Sequence, residues 1–298
     1  MKLRLPAMLA VAATAALLCS TAMAQSNDTL AKIKSSGVIQ IGGRESQIPF
    51  SYKPNGGGDP VGFTTDICLK IVDAIKAKLA MPNLEVRYTM LTSTNRIPLL
   101  TNGTVDLDCA TTTNTVDRQK QVAFAPSHFV TSITAAVKKS SGINSFADMN
   151  GKTVSAVSGS TSIALLRAQR KTLEVKEIYA KDTADGFLMM ASDRAVAYVL
   201  DDVQLAGFIA TAPNPGEFKI LTGESLRQEP YGIMYRKDDP AFKDVVDGTV
   251  TELMKSGAIE QIYAKWFLKP IPPTNANLNF PMTDAIKDIY RNPNSNGV

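Results

Sequence analysis

Strand-like and helix-like segments alternate along this chain in two separate blocks, and that rhythm limits the possible folds more than any other feature of the sequence. The strand-like runs are short and rich in β-branched residues: 38-VIQIGGR-44, 84-LEVRYTML-91, 105-VDLDC-109, 153-TVSAV-157, 174-EVKEIYA-180 and 195-AVAYVL-200. Between them lie runs with apolar residues at helical spacing, including Thr64 to Leu79, 94-TNRIPLLTN-102, 163-IALLRAQRK-171, 184-ADGFLMMAS-192 and 202-DVQLAGFIA-210. A β-α-β-α order predicts an α/β protein in which open, mostly parallel sheets carry helices on both faces. Two such blocks predict two lobes. Extended segments near 126–134 and 224–232 are placed to cross between them. Helices expected at 241–256 and 258–267 then return to the first lobe. The expected division is 25–130 with 231–298 for lobe 1, and 131–230 for lobe 2.

The first 24 residues stand apart from this pattern. Lys2 and Arg4 precede an apolar run from Pro6 to Leu18, and Ala22-Met23-Ala24 forms a small-residue cleavage site before Gln25. That is a secretory signal peptide, too short for a membrane span. Cys19 is not read as a lipid-anchored first residue, because Leu18 before it is not the small residue that such processing favours. Export implies an oxidising compartment, the periplasm. Cys68 and Cys109 remain, and two readings stay open for them. A bridge would close a loop of about 40 residues and add roughly 4 kcal/mol in the chain-entropy model. Two buried thiols would serve equally as core residues. There is no Cys-x-x-Cys and a single His, His128, so neither a metal nor a cofactor is expected. The net charge of +4 includes Lys2 and Arg4 and contains no basic run, which excludes nucleic acid as a partner.

In open α/β sheets, ligands sit beyond the carboxyl ends of the strands. Those positions are chemically uniform here. Arg44 follows the first strand, Ser93 and Arg96 the second, and Thr111, Thr113 and Arg118 the third. In the second block Ser160 and Thr161 follow 153–157, Thr183 follows 174–180, and Asp201 follows 195–200. Arginine offers a planar fork of donors that matches a carboxylate. Small hydroxyl residues at a helix start bring hydroxyls and free backbone N–H groups to an anion. Asp201 suits an ammonium. The set fits a small zwitterion with an extra acid group. Each residue alone has a plainer role: Ser and Thr cap helices, Arg118 pairs with Asp117 or Asp108, and Asp201 caps its own helix. Recurrence at successive strand ends is what isolated caps do not explain. An enzyme would need a positioned acid or base among these groups. His128 beside a serine is the available pair, but it lies in an expected crossing segment and no G-x-S-x-G elbow is present.

The run 105-VDLDCATTTNTVDRQKQVAF-124 resembles the signature of the family 3 periplasmic solute-binding proteins, which serve polar amino-acid importers. The segments 43-GRESQIPFSY-52, 92-TSTNRIPLLTNGTVDLDC-109, 181-KDTADGF-187, 193-DRAVAYVLDD-202 and 262-IYAKWFLKPIPP-273 resemble the same family in order, its glutamate/aspartate-carrying members above all. The resemblance implies a type II, Venus-flytrap fold joined by two crossing strands. It also implies a monomer without enzymatic activity that closes on an acidic amino acid and delivers it to an inner-membrane ABC permease; glutamine or asparagine is the alternative ligand. Arg118 with Thr113 would hold the α-carboxylate, helped by backbone N–H groups at Ser160 and Thr161. Asp201 and the Thr111 carbonyl would hold the α-ammonium. Arg44, Ser93 and Arg96 would hold the side-chain carboxylate. Thr183 stands where members that take acidic ligands carry a His.

Overall fold

The computed structural model describes residues 28–298, so the signal-peptide reading and Cys19 lie outside the described residues. The chain begins with α1 (Thr29–Ser36), β1 (Val38–Gly43), β2 (Ser46–Gln47), β3 (Ser51–Tyr52), α2 (Phe63–Leu79), β4 (Glu85–Met90), α3 (Arg96–Thr101), β5 (Leu107–Asp108), α4 (Val116–Gln119) and β6 (Ala123–Phe124). The long strand β7 (Phe129–Lys138) leads into β8 (Thr153–Val157), α5 (Thr161–Ala168), β9 (Lys176–Ala180), α6 (Thr183–Ala191), β10 (Ala197–Asp201), α7 (Asp202–Thr211) and β11 (Phe218–Ile220). A second crossing strand, β12 (Arg227–Tyr231), returns to β13 (Met234–Tyr235), α8 (Pro240–Lys255), α9 (Ala258–Phe267) and α10 (Asp284–Arg291). None of the described helices is long and apolar enough to cross a membrane.

Two main sheets result. The first runs β4-β1-β5-β13-β6, and the second runs β11-β7-β10-β8-β9 with β12 also paired to β7. Strands joined by a helical crossover pair in parallel: β1 with β4 and β5, and β8 with β9 and β10. Strands that arrive from the other lobe join antiparallel, as β13 does beside β5 and β6 and as β12 does along β7. Each sheet is therefore mixed rather than mostly parallel, because the crossing strands double back on the β-α-β framework. The two crossing strands pair over five residues, from Arg227 opposite Ile133 to Tyr231 opposite Phe129.

The crossing strands start from the core of the first lobe. Phe129 and Tyr231, at one end of that ladder, are fully buried and stack with ring centroids 5.9 Å apart. Phe50 lies edge-on to both, at 4.9 and 5.4 Å, and Phe267 of α9 stacks on Phe129 at 5.2 Å. Edge-to-face and offset-stacked pairs of this kind add about 0.5–1.5 kcal/mol each beyond burial. The lobe 2 sheet is covered on both faces. Ile163 and Leu166 of α5 join one apolar cluster, and Met189 and Met190 of α6 with Leu205 and Phe208 of α7 join the other.

Local signals explain most element boundaries. Asp28 caps α1 by accepting from the Ala31 amide at 2.8 Å, and Gly37 ends it in the left-handed conformation. Thr64 and Thr65, at the start of the helical run, are the residue types that usually cap a helix, but neither caps α2. The N-cap is Gly62, at φ +142°, and both threonines lie buried inside the first turn. A Cβ at Gly62 would fall 2.2 Å from the Phe50 carbonyl oxygen, so only glycine fits there. Cys68 on α2 and Cys109 after β5 are bridged, which settles the two open readings in favour of the disulfide. The tail packs on the first lobe and holds a helix, α10, that the sequence reading did not assign. Thr283 caps it by accepting from the Ile286 amide, and Ile286 and Tyr290 bury one face.

Candidate functional site

The strand ends of the two lobes face each other across a narrow cavity of about 20 Å³. Its wall holds eight of the predicted residues: Ser93, Arg96, Thr111, Thr113 and Arg118 from the first lobe, and Ser160, Thr161 and Thr183 from the second. Asp201 is the ninth, and Gln47 and Gln204 complete the polar lining. A wider cavity of about 230 Å³ adjoins it and shares Gln47, Ser93, Val157 and Thr183 as a common wall. Arg44, the tenth predicted residue, lines this second cavity and not the first.

Three arginines reach the site in three ways. Arg44 is buried and paired to Asp108, Nη1 to Oδ1 at 2.7 Å, while Thr112 donates to the other oxygen of Asp108 at 2.6 Å. Its Nε and Nη2 are buried without a partner. Arg96 is 3% exposed and has no carboxylate within ion-pair distance among the described residues. Its Nη2 donates to the Gly159 carbonyl at 3.3 Å and its Nε has no partner. Burial first, then the charges of Arg118 and Arg44, push the Arg96 guanidinium well below the usual arginine range. Arg118 donates to the Thr113 carbonyl at 2.7 Å and to the Gly159 carbonyl at 3.4 Å. Burial lowers it as well, against the raising effect of Glu229, Asp108 and Asp201. Two cations thus share one neutral carbonyl over long bonds. A carboxylate would give each of them a shorter, charge-assisted bond.

The second lobe contributes the opposite chemistry. Ser160 begins α5 without a side-chain cap bond, and the hydroxyls of Ser160 and Ser162 are buried and unpartnered. The first-turn amides of α5 therefore lack the side-chain acceptor that usually satisfies them. Gly159, at φ +77°, brings this turn against the first lobe; a Cβ there would fall 2.8 Å from the Ser93 carbonyl oxygen. Asp201 ends β10 and stands at the N-cap position of α7, but its side chain makes no cap bond. Its Oδ2 accepts from Gln204 Nε2 at 2.9 Å, and its Oδ1 is buried without a donor. Burial, then the nearby negative charge of Glu229, raises this carboxyl to about 7. An ammonium would supply the missing donor and charge.

Glu229 was not anticipated. It is fully buried on the crossing strand β12, and its Oε2 accepts hydroxyls from Thr113 of the first lobe and Thr161 of the second, both at 2.7 Å. Its Oε1 is held by Arg227 Nη2 at 2.6 Å. A hydroxyl has one proton, so Thr113 and Thr161 in this arrangement donate to Glu229 and not into the cavity. Thr183 is similarly committed. Its hydroxyl lies 2.9 Å from Ser46 Oγ and 3.0 Å from the Ser46 carbonyl, which ties α6 to β2 across the cleft. Gln204 was legible in principle, one helical turn after Asp201. Glu229 carried a weaker signal, an acid inside a segment read only as a crossing. His128 lies away from the cavity, against Phe63. Its Nε2 is 3.1 Å from the Thr64 hydroxyl, and burial depresses it to about 3, which leaves a neutral core residue.

Residues 39–269 match the family described as bacterial extracellular solute-binding proteins, family 3. The chain belongs to that family. It is 43% identical to the L-glutamate/L-aspartate-binding protein of Pseudomonas aeruginosa over 97% of this chain and 96% of that protein. It is also 43% identical to the glutamate/aspartate import solute-binding protein of Escherichia coli K12, with 100% of each chain covered. Among solved structures, a mutant of ArgBP from T. maritima superposes with a TM-score of 0.70 at 28% identity, over 80% of this chain and 98% of that one. The fold is the two-lobed type II binding-protein fold, and the protein is a solute-binding protein and not an enzyme.

Proposed function

We propose that this chain captures L-glutamate or L-aspartate in the periplasm, as a monomer, and presents it to an inner-membrane ABC permease. The observation that carries this reading is the pair of guanidiniums, Arg96 and Arg118, that share one cavity without a carboxylate partner among the described residues. One serves the α-carboxylate common to all amino acids. The other is surplus unless the ligand has a second acid. Asp201, with an oxygen lacking a donor, takes the α-ammonium, with the Thr111 carbonyl beside it. The names of the Pseudomonas and Escherichia relatives support the same ligand class.

In this reading Arg118 and the first-turn amides of α5 hold the α-carboxylate. Ser93 and Arg96 hold the side-chain acid, with Arg44 contributing from the adjoining wall. Residues 25–130 with 231–298 and residues 131–230 move as two bodies about the crossing strands. A ligand that touches both faces favours the closed arrangement, because neither face alone satisfies it. Closure removes water and strengthens each charged contact. Glutamine remains the rival ligand because Arg44 is already neutralised by Asp108. Calorimetric titration of protein stripped of carried-over ligand decides between them. Micromolar or tighter binding of the acidic pair, about 8 kcal/mol or more, is expected beside weak glutamine. Tight glutamine with weak glutamate would move the second acid out of the site.

A further inference from the structure

Glu229 has no place among the ligand contacts above, yet its carboxylate is fully engaged. Oε1 accepts from Arg227 Nε at 3.1 Å and Nη2 at 2.6 Å, and Oε2 accepts from the Thr113 and Thr161 hydroxyls, both at 2.7 Å. The side chain is fully buried. A buried acid is stable only while its oxygens keep their donors.

The end of β12 that follows this acid is tied to the first lobe. The Asn114 amide donates to the Pro230 carbonyl at 2.8 Å, Thr113 forms a β-bridge with Tyr231, and the Tyr231 ring stacks on Phe129 in that lobe's core. Of the two hydroxyls on Oε2, Thr161 is therefore the one that crosses the cleft. It is the first residue of α5, so its bond to Glu229 also fixes where the first-turn amides of that helix stand relative to Arg118. If the lobes part, Oε2 loses one of its two donors. Beyond burial, Glu229 is the leading charge acting on both ions that the ligand would meet: it works against the lowering of Arg118 and adds to the raising of Asp201.

We propose that Glu229 is an interlobe latch: through the Thr161 hydroxyl it favours the closed arrangement and seats the α5 amides, without touching the ligand. It is a positioning residue for capture. Apparent affinity scales with the population of the binding-competent state, so the latch multiplies the affinity for every amino acid the cleft accepts by one common factor. The inference rests on the closure reading above and not on which side chain is held.

A double-mutant cycle read by calorimetric titration of the stripped protein tests this. Thr161→Val keeps the size of the side chain and the α5 backbone and removes only the hydroxyl. It should weaken L-glutamate and L-glutamine by the same factor, about tenfold, as expected for a hydrogen bond to a charged group. In a Glu229→Met background neither acceptor oxygen remains, and Arg227, whose side chain is 35% exposed, turns to solvent. There the same Thr161→Val change should alter both affinities less than about twofold, because residues that act through one bond are not additive. Thr161→Ser, which keeps a hydroxyl, should recover most of the loss in the parent background. If Glu229→Met misfolds, Glu229→Gln repeats the cycle with a neutral acceptor, and Thr161→Val should then cost about threefold or less. A tenfold loss in both backgrounds would overturn the latch and make the hydroxyl a direct ligand contact. A loss confined to glutamate, or no loss at all, would overturn it too. Failure of the parent to bind either ligand would overturn the capture reading and the latch with it.

Discussion

The two faces of the cleft are built on different principles. The first-lobe face is a set of cations held by its own backbone and one acid: Arg118 on the Thr113 carbonyl at 2.7 Å, and Arg44 on Asp108 at 2.7 Å. The second-lobe face has no cation in the central cavity. It offers an uncapped helix start, a glycine turn and a buried acid raised to about 7. The bonds between the faces grade with position. Near the crossing strands, Glu229 holds a threonine from each lobe at 2.7 Å, and at the rim Ser46 meets Thr183 at 2.9 Å. In the cavity the links are the long ones, Arg96 and Arg118 to Gly159 at 3.3 and 3.4 Å. The contacts best suited to exchange for a ligand are thus among the longest of the interlobe set. One lobe reads as the binding platform and the other as the cover.

If the first lobe is the platform, its loss should cost most. Arg118→Ala removes the partner of the carboxylate that every amino acid carries. Losing one member of a buried charged pair costs about 2–5 kcal/mol, and the upper part of that range, on the order of a thousandfold in Kd, is expected for glutamate, aspartate and glutamine alike. Near-parental affinity by calorimetry would reverse the assignment of platform and cover. Arg96→Ala should cost less and discriminate more: about a hundredfold for glutamate, from the lower part of the same range, with glutamine changed only a few-fold. Equal losses for the two ligands would place Arg96 at the α-carboxylate instead.

The cover should show itself in pH dependence. Asp201 is raised to about 7, so below that pH it carries a proton. An ammonium binds the carboxylate form, and binding in acid must therefore release the proton first. Affinity should rise with pH through about 7 and fall about tenfold for each unit below it. Titrations from pH 5.5 to 8 in buffers of different ionisation enthalpy would detect the released proton. Asp201→Asn should bind more weakly at pH 8 and lose the slope. An unchanged slope in that variant would assign the proton to another group.

How much of this was visible in the sequence depends on the range of the interaction. Strand ends and helix starts are local, so the positions of Arg96, Arg118, Ser160 and Asp201 followed from alternation and caps. Nine of the ten expected residues line the central cavity. Pairing partners are not local. Arg44 was placed at a strand end correctly, but its commitment to Asp108, 64 residues away, depends on β1 lying beside β5. Thr113 and Thr183 were read as donors to the ligand; each hydroxyl is spent on a group more than a hundred residues distant, Glu229 and Ser46. The antiparallel half of each sheet was missed for the same reason. The sequence marks a strand but not its partner, and the crossing strands pair with each other across almost a hundred residues of intervening chain. Gly62 won over Thr64 as the cap of α2 through the nearby Phe50 carbonyl, a contact with no signature in the local pattern.

The tail gives the smallest effect and the sharpest test of the platform. Its last residues lie along the loop that carries Thr113 and Arg118. Val298 donates its amide to the Asn114 carbonyl at 3.1 Å and accepts from the Val116 amide at 3.1 Å. The Ser295 carbonyl accepts from Asn114 Nδ2 and from Gln119 Nε2, both at 2.9 Å. These bonds tie down the first turn of α4, on which Arg118 sits, without touching the cavity. Net hydrogen bonds of this kind contribute about 1 kcal/mol each, but solvent replaces most of them at a partly exposed site. Deleting residues 295–298 should therefore loosen the loop without unfolding the lobe. The expected loss of glutamate affinity is about fivefold, roughly 1 kcal/mol, with the melting temperature nearly unchanged. Calorimetry and thermal denaturation on the same sample separate the two. A drop in melting temperature with unaltered affinity would make the tail a clamp on the core alone, and Arg118 would then owe its position to Thr113 and Thr115.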